Sequence, residues 1–148
     1  MRFIYLLLLP LLTPFLTIAQ CAEFTLTMLQ GVQRAEAAQK DYKIQSLGFD
    51  LHQDKNGQKI YRKCWRNTEM GQVIYEQKLS WDPVKNTVVF MTLNKEHFLG
   101  LRRAIEERQH SSGATEDPNV YIGRLFEYHF GIVSNDGHEY FRVSIAFL

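Results

Sequence analysis

The residues that could do chemistry are scattered along the chain. Asp54, Asn56 and Gly57, in the stretch HQDKNGQKI (52–60), keep the alternate spacing and central glycine of a calcium-binding loop. Counted from His52 as the first ligand, the twelfth position is Lys63, a cation where a bidentate glutamate belongs. The stretch therefore reads as an Asn-Gly hairpin turn. Of the five histidines, His97 and His110 bracket a predicted helix, His129 lies on a predicted strand and His138 follows the SNDG turn. None forms an i, i+4 pair or a HExxH pattern, and Cys21 and Cys64 are too far apart in sequence for a zinc knuckle. His129 and His138 flank one hairpin, and a metal or pH-sensing pair there is the lesser alternative to ordinary surface or half-buried histidines; no metal is expected.

Glu76, Glu127 and Glu139 fall on predicted strands and are the carboxylates a small hydrolase would need. The chain has no GxSxG elbow, no SxxK and no cysteine in a recognised catalytic setting. Recognition is the better-supported chemistry. Tyr61, Lys63, Trp65, Glu127, Tyr140 and Arg142 would share the open face of a sheet, where aromatic rings bring contact area at small entropic cost and charges supply selectivity. The alternative for the rings is that they pack under loops or at the edge of the core.

These residues need a scaffold, and its address is written in residues 1–19. Arg2 precedes an apolar run from Phe3 to Leu12 broken only by Pro10, the form of an export signal. A spanning helix needs roughly 20 apolar residues and tolerates such prolines poorly. Thr17-Ile18-Ala19 suits signal peptidase, which places the cut before Gln20 and leaves residues 20–148 as one domain, periplasmic or extracellular. A lipid on Cys21 is the lesser alternative, because Gln20 stands where a small residue is normal. In an oxidising compartment Cys21 and Cys64 are a candidate disulfide; otherwise Cys64 is a small buried hydrophobe and Cys21 lies in a frayed terminus.

Arg2 leaves with the leader, so 17 Lys and Arg become 16 against 16 Asp and Glu, a formal charge of zero. That argues against nucleic acid, whose binders carry a basic excess. No cofactor is expected, and no transmembrane segment in the mature chain. The partner is an unidentified protein or small molecule.

Thr27 and Gln30 have capping-box spacing, opening a helix with Met28, Leu29, Val32, Ala35 and Ala38 along one side; one helix, or a bent pair with a break near Asp41, is expected to stop at Gly48. The period then changes to two. Strands are predicted at 58–66, although its two sides are equally mixed, at 73–81, and after the DPVKN turn (82–86). Asn94 caps a second helix with Phe98, Leu101 and Ile105 as its apolar stripe. The polar loop HSSGATEDPN and two long strands joined by SNDG complete the chain.

The fold expected is α+β: a mostly antiparallel sheet of about five to six strands, two main helices on one face, and two helix-plus-hairpin units. The placing of aromatics in IYRKCWRN before VIYEQKLSW resembles that in LFEYHFGI before YFRVSIAF. In element order alone, such an arrangement is similar to small exported inhibitor modules of the β-lactamase-inhibitor type.

Overall fold

Ten-residue strands dominate the structure, a computed structural model that describes residues 21–55, 57–108 and 117–148. The leader and its cut, Asn56, His110 and most of the HSSGATEDPN loop lie outside the described residues. The elements run α1 (Leu26–Arg34), α2 (Ala37–Ser46), β1 (Asp50–Lys55), β2 (Gln58–Asn67), β3 (Val73–Asp82), β4 (Thr87–Thr92), α3 (Lys95–Arg108), β5 (Val120–Ile122), β6 (Phe126–Asn135) and β7 (His138–Phe147). One antiparallel sheet takes the order β1-β2-β3-β4-β7-β6-β5. The first four strands and the last three meet at the β4–β7 seam, and α1 and α3 both pack across that seam.

The fold is α+β with an antiparallel sheet, but among the described residues the sheet has seven strands and the helices number three. The additional strand arises because Gly123-Arg124-Leu125 makes a tight reversal, closed by the Gly123 amide donating to the Phe126 carbonyl at 2.7 Å. This cuts β5 off from β6. The additional helix arises because Ala35 and Glu36 are extended (ψ 137° and 149°), ten residues' worth of helix re-starting after them as α2. The break near Asp41 is thereby corrected: Asp41 lies within α2 and reaches to β2, its carboxylate accepting from Tyr61 Oη at 2.5 Å and from Lys59 Nζ.

The first cap is also one turn-fraction earlier than expected. Thr25, not Thr27, is the N-cap, its Oγ1 accepting from the Met28 amide at 3.3 Å. This start places Phe24 before the cap and Leu29 at the fourth helical position, the pattern of a hydrophobic staple, and both are buried in the core. Elsewhere the local signals work as their chemistry dictates. Asn94 Oδ1 accepts from the amides of Glu96 and His97 and caps α3. Asp136 and Gly137 both have positive φ (50° and 75°), as a two-residue type I′ hairpin turn requires. Asp82 Oδ1 accepts from the amides of Val84 and Lys85 and forms the β3–β4 turn.

Cys21 and Cys64 are joined, with Cα atoms 5.7 Å apart. The bond ties the segment before α1 to β2 across a separation of 43 residues, worth about 4 kcal/mol in the chain-entropy account. A sulfur engaged in this bond is not available for a thioether to lipid. Among the described residues no helix is long and apolar enough to cross a membrane.

Candidate functional site

Two adjacent rows of side chains cross the sheet and divide its roles. In the first, register aligns Tyr61, Leu79, Phe90, Val143 and Phe130 on β2, β3, β4, β7 and β6. All five are buried in the core beneath the helices. Each buried ring or aliphatic group of this kind stabilises by about 1.5–3 kcal/mol. One residue further along each strand, where the pleat reverses direction, the second row reads Arg62, Lys78, Met91, Arg142 and Gly131. This row lies on the face away from the helices.

The cations of the second row are unequally provided for. Lys78 is 2 % exposed; its Nζ donates to Asp136 Oδ2 at 2.7 Å and to Asn135 Oδ1, and sits 4.5 Å from the centre of the Tyr140 ring. Arg62 lies over the Tyr75 ring at 4.9 Å and reaches the same Asp136 oxygen at 3.4 Å. The hydrogen bond from Lys78 holds the Asp136 carboxyl below the usual carboxylate range, with Lys78 and Arg62 charge adding to it against the effect of burial. The Arg142 guanidinium passes beside Gly131, whose added Cβ would lie 3.8 Å from it, and its Nε is buried with no partner. Among the described residues no carboxylate pairs with Arg142. Arg62, with Asp50 opposite it on β1, and Lys78 thus share the Asp136 carboxylate, and Arg142 does not.

At one end of this row the sheet opens. β4 ends at Thr92, and beyond it Tyr140 Oη donates to the Tyr75 carbonyl at 2.8 Å, bridging β7 to β3 across the gap. Burial first, then the Asp136 charge, push the Tyr140 hydroxyl up to about 12. A cleft of about 250 Å³ lies here, lined by Arg62, Tyr75, Lys78, Asp136, His138 and Tyr140 among others. His52, in the bulge of β1, is held below the ordinary histidine value by burial and by the charge of Arg62, with Lys78 contributing.

The six residues named from sequence do not form one surface. Tyr61 is fully buried on the helix side, and Lys63 is turned the same way, donating to the Leu47 carbonyl at 2.8 Å over the Phe49 ring. The reason is the parity of β2: Tyr61 pairs with Leu79 and Lys63 with Gln77, both facing the helices. Trp65 is 65 % exposed, next to the left-handed Cys64 (φ 57°). Arg142 is on the open face, and Tyr140 lies buried against Lys78 at the cleft. Glu127 is on the open face too, hydrogen-bonded to His129, four register positions from Arg142's partner Gly131 toward the far end of β6. Arg62, Lys78 and Asp136 were missed. Period-two parity would have found the first two, since they alternate with Tyr61 and Leu79.

The strand glutamates do not converge. Glu127 pairs with Ala146 and Glu139 with Ser134, near opposite ends of the β6–β7 ladder and on opposite faces, and Glu76 lies on β3 beside the α3 start. His129 and His138 are likewise separated, opposite Ser144 and Asn135. Among the described residues no three His, Cys, Asp or Glu side chains cluster as a metal site. No protein-family model, curated protein or solved structure matches the chain, so the reading of this surface rests on its own residues.

Proposed function

We propose that the protein is an exported, non-catalytic binding module that engages a partner carrying acidic groups through the open face of its sheet. The observation that carries this reading is the row Arg62–Lys78–Met91–Arg142: Arg62, opposite Asp50, and Lys78 share the Asp136 carboxylate, and Arg142 lacks any acidic partner among the described residues. A cation held on a rigid sheet without its counter-charge favours association with an anionic surface and sets its orientation. Exposed Trp65, on the same strand as Arg62, offers the apolar area that anchors such contacts. Export is supported by the leader and by the disulfide, which belongs to oxidising compartments.

Two experiments test the reading. Immobilised wild-type protein is compared with Arg142→Glu and Trp65→Ala in capture from the extracytoplasmic fraction of the source cells, with bound material identified by mass spectrometry. Loss of one defined partner by Arg142→Glu, at an unchanged Tm, supports the open-face interface; equal capture by the charge-reversed variant contradicts it. Intact mass of the mature chain tests the address: pyroglutamate at Gln20 with a two-hydrogen deficit fits a cleaved, disulfide-bonded product, and a diacylglyceryl mass contradicts it.

A further inference from the structure

On the other side of the sheet, where α1 breaks into α2 above the β3–β4 turn, a cavity of about 440 Å³ opens. Trp81, 7 % exposed, and Phe147 at the rim form its apolar wall, and Gln33, Arg34, Glu36 and Asn86 add polar groups around it. Against them lies Lys40, 2 % exposed, whose Nζ donates to the Gln33 backbone carbonyl at 3.0 Å and sits 5.3 Å from the centre of the Trp81 ring. No carboxylate pairs with this ammonium among the described residues, an arrangement that costs free energy unless something supplies the missing charge. Two further buried groups lining the same cavity have atoms without partners, Trp81 Nε1, a donor, and Gln33 Oε1, an acceptor.

The lip of the cavity is electropositive for a second reason. Ala35, Glu36 and Ala37 line it where α2 begins, and the Glu36 side chain makes no capping hydrogen bond, so first-turn amides are left for another acceptor. Arg34 stands at the same lip over the Phe126 ring. One negative feature faces these, the Glu36 carboxylate, which is exposed to solvent.

We propose that this cavity is a binding site for the carboxylate of a small organic acid with an apolar body, the carboxylate pairing with Lys40 and the body lying on Trp81 and Phe147. A single buried cation is matched by a single negative charge, which favours a monocarboxylate over a doubly charged phosphate, and the indole and phenyl walls favour a hydrocarbon body. Burial lowers the Lys40 amine from the ordinary lysine value, so a bound anion, by stabilising the ammonium, raises it again. The site is independent of the open-face interface.

The test uses Trp65→Phe protein, in which Trp81 is the sole tryptophan, titrated with benzoate, benzyl alcohol and inorganic phosphate while indole fluorescence is followed. Benzoate is expected to bind at least about tenfold more tightly than either of the others, because only it offers both the charge-assisted bond and the apolar body. Lys40→Met in the same background is expected to lose benzoate binding, and Glu36→Gln, an exposed change that leaves folding undisturbed, to tighten it. Benzyl alcohol binding as tightly as benzoate, phosphate doing so, no benzoate binding at millimolar concentration, or benzoate affinity unchanged in Lys40→Met would each overturn the proposal.

Discussion

Lys40 and Lys78 are buried to the same extent on opposite sides of one sheet, and what faces each ammonium differs. Lys78 has Asp136, Asn135 and the Tyr140 ring; Lys40 has one backbone carbonyl and the Trp81 ring. The first is a charge built into a cluster, where the type I′ turn brings Asp136 over the strands to meet it. The second is a charge without a counter-charge, beside a cavity large enough for a small molecule. Equal burial thus accompanies two roles: Lys78 helps to hold the open face together, and Lys40 keeps a place for an anion.

The largest effect that would break this division concerns the faces themselves. Tyr61→Ala should cost about 3–5 kcal/mol, the range for emptying a buried aromatic site. Trp65→Ala, four residues on and exposed, should change stability by less than about 0.5 kcal/mol. Denaturant unfolding of the pair checks this, and equal costs would show that Trp65 belongs to the core.

Next come the two lysines. Lys78→Met should destabilise by about 1–2 kcal/mol through its lost charge-assisted bonds, the solvated Asp136 limiting the cost. Lys40→Met should instead stabilise by on the order of 1 kcal/mol, or about 3–5 °C in Tm, because an unpaired buried charge is replaced by a side chain of similar length. Thermal melts at neutral pH separate the two, and the opposite signs matter more than the sizes.

The pH dependence sharpens the same contrast. Lys40 has a lowered folded pKa, so in the window between that value and the ordinary lysine value near 10.4 the unfolded chain binds more protons and stability should rise with pH. Lys40→Met should flatten that rise. Above about pH 10 Tyr140 acts in the reverse sense, since its hydroxyl is held up to about 12 in the folded protein and only about 10 unfolded, and stability should fall. The smallest effect is in acid. Asp136 has a lowered folded value, so its contribution is complete above the ordinary aspartate value near 3.9 and disappears as pH falls through the folded one. Asp136→Asn should lose that part of the acid limb in a pH series of melts.

Much of the frame was legible because its signals are local. Asn94 caps a helix, Gly48 ends one with φ 83°, and SNDG and DPVKN reverse the chain through their own side chains and positive φ angles. What was not legible depends on tertiary cover. In the 58–66 strand both sides carry aromatics and charges, and periodicity states which residues share a face but not which face the helices cover. Tyr61 was therefore expected in the open, although Asp41 of α2 holds its hydroxyl from above. Lys40 reads as an ordinary charged helix position. Its burial follows from the break at Ala35–Glu36, which turns α2 so that this residue meets Trp81, and no local signal announces that turn.

The most direct measurement is a titration of the Lys40 side chain by NMR, following the Cε and Nζ shifts of the folded protein with and without benzoate. Lys40 is expected to lose its proton below the pH at which the exposed lysines do, and benzoate to shift that loss back upward. A Lys40 that titrates with the exposed lysines and ignores benzoate would contradict it.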